Sequence, residues 1–191
     1  MNLPNKLTAL RIFMIPLFLF VLSCPLDWGV VKTFKQTVPV THIIAAINFT
    51  LSSITDWLDG YLARKWHLVT NFGKFADPLA DKMLVISAFI VLVALKQVPA
   101  WVVSIIVMRE LAVTGLRLLL VKDGEILGAA WPGKIKTVTQ MLAVIFLLLH
   151  NLPFVFVTNF PIGEILLYIA LTFTIYSGID YFVKNKEVFK R

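Results

Sequence analysis

Cysteine is all but missing from this chain: Cys24 stands alone, and a single thiol excludes any disulfide framework within the molecule. Charge is scarce as well. Only 15% of the residues are charged while 59% are apolar, and the mean hydropathy of +0.84 lies far above that of a soluble domain. Such a balance leaves no soluble domain to carry nucleic-acid binding, so no nucleic-acid partner is expected. Histidine and cysteine form no cluster with metal-ligand spacing. No internal repeat of the kind that builds many transporters is visible, nor any low-complexity segment. Residues 1–191 are expected to form one integral-membrane domain.

What is present is apolar sequence in long runs. Six stretches, 12–31, 41–58, 79–98, 101–120, 138–157 and 162–182, hold roughly 18 residues or more, enough to cross about 30 Å of hydrocarbon as helix. The opening MNLPNKLTALR is amphipathic, with Asn2 or Asn5 as cap and Pro4 suited to a first turn; such a segment rests at the membrane surface before the chain enters the bilayer. The predicted fold class is an all-α membrane protein of six transmembrane helices, preceded by a short N-terminal interfacial amphipathic helix. Lys6 and Arg11 followed by IFMIPLFLFVLSC also have the form of a short signal ending at a lipidated Cys24. Five further spans need no such signal, so a first transmembrane helix kinked at Pro16 is preferred.

Retained cytoplasmic loops carry the excess of Lys and Arg. With six spans both chain ends share one side, and fourteen basic residues fall there against Lys32, Lys35 and Lys96 on the other, Arg109 lying mid-span. Both termini are therefore expected in the cytoplasm of a bacterial-type membrane. The net charge of +7 is then concentrated on one face, where it attracts anionic lipid heads or phosphorylated substrates.

Against this background four aspartates are conspicuous, because ionised groups beside hydrocarbon are costly. Asp56 and Asp59 are three apart and Asp77 and Asp81 four apart, so each pair falls within roughly 60° of a common helical face. The pairs sit at the cytoplasmic end of the second span and the start of the third, joined by a short turn expected to contain Asn71 and Gly73. Four carboxylates brought together need a cation to neutralise them. Oxygen-only ligation points to two hard divalent ions, Mg²⁺ or Mn²⁺, the usual apparatus for displacement at phosphorus. Gly60 and Gly73 allow close backbone approach there, and Arg64, roughly two turns on from Asp56, is placed to hold a phosphate. The plainer account has the aspartates capping helices or pairing with Lys65, Lys74 and Lys82, with Asp77 before Pro78 as a helix-start residue. A cation transporter is a different-class alternative, weakened by carboxylates gathered at one face rather than at the midplane.

The stretch Asp56-x-x-Asp59-Gly60-x-x-Ala63-Arg64, eight residues, then Gly73-x-x-x-Asp77-x-x-x-Asp81 resembles the CDP-alcohol phosphotransferase signature at every fixed position. The resemblance implies six transmembrane helices, a homodimer, a two-metal site near the cytoplasmic face, and transfer of a phosphatidyl or similar group from a CDP-linked lipid to an alcohol. It implies that Asp56, Asp59, Asp77 and Asp81 are metal ligands and that Asp81 also takes the alcohol proton. It further implies that Gly60, Ala63, Arg64 and Gly73 line the cytidine diphosphate site, with Asn5 and Thr8 contacting the nucleotide.

A second set of residues bears on the acceptor. Arg109, Glu110 and Arg117 lie in VSIIVMRELAVTGLRLLLVK, and Lys134 and Lys136 in GKIKTVTQ. Arg117, Lys134 and Lys136 taken singly read as interfacial anchors that snorkel, whereas Arg109 lies too deep for that. Together they suit an anionic acceptor. NLPNKLTALR, DPLADK, RELAVTGLR and GKIKT are similar to the branch of the family that uses sn-glycerol 3-phosphate. That likeness implies CDP-diacylglycerol as donor, phosphatidylglycerol phosphate and CMP as products, and Arg109, Lys134 and Lys136 as the acceptor-phosphate site. Phosphatidylglycerol, inositol phosphate and serine are the alternative acceptors.

Overall fold

The computed structural model describes residues 3–24, 27–33, 36–65, 71–122, 131–152, 154 and 160–186. Within these, the side chains of 3–6, 33, 57, 59–64, 71–78, 118, 119, 121 and 122 lie outside the description. Six helices and one hairpin make up the described residues: α1 (Leu3–Ser23), β1 (Val30–Thr33), β2 (Gln36–Pro39), α2 (Val40–Lys65), α3 (Asn71–Ala94), α4 (Ala100–Lys122), α5 (Trp131–Leu148) and α6 (Ile162–Lys184).

The separate interfacial helix is not found. Residues from Leu3 join the first apolar run in one continuous helix through Pro16, because Pro4 falls in the first turn, where it is tolerated, and neither glycine nor proline interrupts residues 5–15. At its other end the expected span to residue 31 is cut short at Ser23. Pro25 cannot continue a helix, Gly29 adopts a positive φ of 82°, and β-branched residues follow. Val30–Thr33 and Gln36–Pro39 pair antiparallel, with Val31 opposite Val38, and Val40 donates to the carbonyl of Gly29 at 3.1 Å to close the base of the hairpin.

The other helices also depart from their expected ends. Helix α2 continues past Leu58 to Lys65. Helix α3 already begins at Asn71, so Asn71 and Gly73 lie in its first turn rather than in a connecting turn, and Asp77 is not a helix-start residue. Helix α3 ends at Ala94, where Lys96 adopts φ 59° and Gln97 donates to the carbonyl of Leu92 at 2.9 Å, a left-handed closure that satisfies an orphaned carbonyl. Helix α5 stops at Leu148, well short of residue 157, because His150 and Asn151 both adopt positive φ; Asn151 donates to Phe146 at 2.7 Å. The Asn151 carboxamide then accepts from the backbone of Gly163 at 2.6 Å, where a Cβ would meet Leu147 at 3.0 Å. That close approach fastens the end of α5 to the start of α6.

Consecutive helices run in alternating directions. Helix α1 packs on α2 and α3, α5 on α6 most extensively, and α4 chiefly on α6. The middle of the bundle is apolar, built on Phe18, Phe49, Phe89, Leu92, Ile106, Val144, Leu148 and Leu167. The rings of Phe18 and Phe49 lie 6.0 Å apart. At one end, beside the hairpin, His150 stands 3.2 Å from both His42 and Gln97. The opposite end gathers the charged side chains. Outward-facing Phe13, Met108, Leu111, Ile179 and Val183 are exposed, an apolar exterior suited to lipid rather than water. Among the described residues, α6 is by itself long and apolar enough to cross a membrane.

Because Phe49 is fully buried, truncating it leaves a cavity that costs about 3–5 kcal/mol. Phe49→Ala is expected to lower the unfolding midpoint in detergent by at least about 6 °C. A midpoint within about 2 °C of wild type would show that this contact does not hold α1 to α2.

Candidate active site

The charged end begins with an ion pair that spacing along the chain does not reveal. Arg11, with no exposed side-chain surface, binds the carboxylate of Asp56, which is about a third exposed at 32%. The pair ties α1 to the last third of α2 across 45 positions of sequence. Asp81, in the first half of α3, lies within electrostatic reach of Asp56, Arg11, Lys136 and Glu110. Its Oδ1 is buried and, among the described residues, accepts no hydrogen bond. An acceptor-only oxygen in that position fits a cation ligand or a proton acceptor.

A cavity of about 380 Å³ opens from Asp81 between α3, α4 and α5, within the range of small-molecule sites. Five cations line it, Lys82, Arg109, Arg117, Lys134 and Lys136, against the carboxylates Asp81 and Glu110. Glu110 is buried and its Oε1 accepts both from the Lys136 ammonium and from Nη1 of Arg109 at 3.3 Å. Nη2 of Arg109 donates to Ser177 on α6 at 2.9 Å. Gly178 makes room for the Arg109 stem, since a Cβ there would meet it at 3.1 Å. Lys82 donates to Thr114, whose hydroxyl donates to the backbone carbonyl of Glu110.

Asp81, Arg109, Lys134 and Lys136, all named from sequence, therefore share one cavity wall. The interfacial-anchor account does not hold for Lys136, which is buried on Glu110. Lys134 is exposed, its ammonium 5.6 Å from the Trp131 ring centroid. Lys82 reaches Thr114 rather than an aspartate partner. Arg117 stacks over Tyr181 at 5.6 Å. Thr8 is buried on α1 one turn ahead of Arg11. Asn5 lies on α1, Asp59, Gly60, Ala63 and Arg64 on α2, and Gly73 and Asp77 on α3, their side chains outside the description. Helices α2 and α3 do pack on each other. Among the described residues no group of three or more His, Cys, Asp or Glu side chains gathers; of the four aspartates, only the side chains of Asp56 and Asp81 fall within that description.

Sequence reasoning assigned no site role to Arg11 or Lys82. Lys82 carried a signal, standing one residue after Asp81 on the same helix. Arg11 carried only that of a basic residue at the edge of an apolar run.

A family model described as CDP-alcohol phosphatidyltransferase matches residues 1–176. A CDP-diacylglycerol–glycerol-3-phosphate 3-phosphatidyltransferase of Bacillus subtilis (strain 168) is 53% identical over 189 residues, covering 99% of this chain and 97% of the relative. Relatives bearing the same name from Rickettsia bellii (strain RML369-C), 38% identical over 98% of this chain and 97% of the relative, and from Haemophilus influenzae (strain ATCC 51907 / DSM 11121 / KW20 / Rd), 36% identical over 94% and 91%, are similar along their length. The chain belongs to the CDP-alcohol phosphatidyltransferase family.

Removing the Arg11 charge takes one partner from a partly buried carboxylate, at a cost of about 1–3 kcal/mol. Arg11→Met is expected to lower the unfolding midpoint by at least about 3 °C. An unchanged midpoint would mean that the ion pair contributes nothing to docking α1 on α2.

Proposed function

We propose that this protein is a phosphatidylglycerophosphate synthase, transferring the phosphatidyl group of CDP-diacylglycerol to sn-glycerol 3-phosphate and releasing CMP. The observation that carries this reading is the continuity of Asp81 with a cavity lined by five cations. A proton acceptor thus adjoins a pocket whose charge suits a phosphomonoester dianion. An acceptor that carries no phosphate, such as serine, gives no reason for three cations, Arg109, Lys134 and Lys136, to converge.

In the proposed reaction Arg109, Lys134 and Lys136 hold the acceptor phosphate and direct its free primary hydroxyl toward Asp81. Asp81 accepts the hydroxyl proton as the oxygen attacks the phosphorus that bears diacylglycerol. The bond from that phosphorus to the CMP oxygen breaks, and the electron pair leaves with CMP. Two divalent ions, Mg²⁺ or Mn²⁺, held by Asp56, Asp59, Asp77 and Asp81, would supply charge stabilisation to the diphosphate oxygens. The described donor set agrees with such ions: carboxylate oxygens with one buried, unpartnered acceptor on Asp81. Gly60, Ala63, Arg64 and Gly73, with Asn5 and Thr8, form the donor side of the site. The six helices cross a bacterial cytoplasmic membrane with both termini and the site at the cytoplasmic face, and the working unit is a homodimer.

Purified protein in detergent with CDP-diacylglycerol and Mg²⁺ or Mn²⁺ is expected to release CMP with sn-glycerol 3-phosphate and not with serine, inositol phosphate or phosphatidylglycerol. Release with another acceptor alone would discard the proposed branch. No release with any acceptor, together with ion flux in sealed vesicles, would favour a transporter. Asp81→Asn is expected to lower turnover by at least about 100-fold in folded protein, and near wild-type turnover would remove Asp81 as the base. Arg109→Ala should raise the KM for the phosphorylated acceptor more than that for CDP-diacylglycerol; an equal rise in both would make Arg109 structural.

A further inference from the structure

Glu110 has no place in the proposed chemistry, yet it is buried at the wall of the acceptor cavity. One of its oxygens, Oε1, accepts from two of the three cations assigned to the acceptor phosphate, Lys136 on α5 and Arg109 on its own helix. Each cation is fixed elsewhere as well, or needs to be. Arg109 is held by Ser177 at 2.9 Å and seated over Gly178. Lys136 has Glu110 as its ion-pair partner. Glu110 in turn is steadied through its backbone carbonyl, which accepts from Thr114, the residue to which Lys82 donates.

We propose that Glu110 is a positioning residue for the acceptor phosphate, holding the Lys136 ammonium and the Arg109 guanidinium at fixed places in the cavity so that both meet one phosphate group. Two physical consequences follow from that geometry. A lysine stem has four rotatable bonds and loses much freedom when its ammonium is held, so a preset Lys136 spares the acceptor the cost of ordering it. Glu110 also offsets one unit of the cavity's positive charge, which lowers the cost of burying an ammonium that has to meet an anion. Both effects act on the acceptor and not on the nucleotide lipid, because the donor side of the site is assigned to α1, the end of α2 and the start of α3.

This inference deepens the proposed function and rests on it for the identity of the acceptor, and two readouts separate the two. In kinetics, Glu110→Gln is expected to raise the KM for sn-glycerol 3-phosphate about tenfold and to change that for CDP-diacylglycerol by less than about twofold. Glu110→Asp, which keeps the charge but is one methylene shorter, should fall between. On a Lys136→Met background the effect of Glu110→Gln should shrink to less than about threefold, since Lys136 depends on Glu110 for its ion pair whereas Arg109 is also held by Ser177. That double variant also removes both members of the buried pair and so keeps a folded protein available where Glu110→Gln alone fails to fold. A full tenfold effect on that background, or equal changes in both Michaelis constants, would overturn the assignment.

The second readout needs no turnover. Inorganic phosphate is expected to raise the unfolding midpoint of the wild-type protein in detergent, and Glu110→Gln to lose at least half of that rise. If wild-type protein releases no CMP with glycerol 3-phosphate yet keeps the phosphate-dependent rise and Glu110→Gln loses it, the acceptor reading fails and the positioning role stands. A wild-type protein insensitive to phosphate, or a Glu110→Gln variant with the full rise, would sink the positioning role itself.

Discussion

One carboxylate shared by two cations organises the charged end of this molecule. Glu110 faces α5 through Lys136 while its neighbour Arg109 reaches α6 through Ser177, so a single cluster joins three helices. The backbone of α4 packs chiefly on α6 and α3, and its side chains bridge to α5 across the cavity rather than by close helix contact. The cavity persists because its walls are separated by ion pairs and not filled by apolar side chains. In a low-dielectric surrounding such charges are tolerable only when paired and hydrogen-bonded, and the carboxylates of Asp56 and Glu110 are each paired with a cation.

The two ends of the bundle show how unevenly polarity is distributed. Beside the hairpin, two left-handed helix closures and the contacts among His42, Gln97 and His150 finish α3 and α5. At the other end Arg11, Asp56, Asp81, Lys82, Arg109, Glu110 and Lys136 lie on five of the six helices. Between them the core is carried by phenylalanine, leucine, isoleucine, valine and alanine. This division lets the middle of the bundle take its rigidity from packing while the ion pairs of the charged cluster are confined to one rim.

Much of this was legible from residue order. Helical character followed from the apolar runs, and the grouping of Asp81 with Arg109, Lys134 and Lys136 followed from treating out-of-place charge as functional. Helix ends were read less well, because hydropathy does not register where the backbone turns left-handed at Lys96, His150 and Asn151. The hairpin was missed although Val30, Val31, Thr33, Thr37 and Val38 are strong strand formers, since two four-residue strands leave little periodicity. The partnership of Arg11 with Asp56 was invisible for a different reason. It joins positions that no local pattern relates, and only the packing of α1 on α2 brings them together.

The same long-range pairing bears on how the protein comes into being. Its charged end takes Arg11 from the first helix and Ser177 from the last, joining residues 45 and 68 positions apart. A growing chain that ends after α4 holds Arg109 and Glu110 but neither Lys136 nor Ser177, so these two charges lack those partners until α5 and α6 have been made. The contacts of the charged end are thus completed only by the last helix. No shortened product of interrupted synthesis carries the whole set.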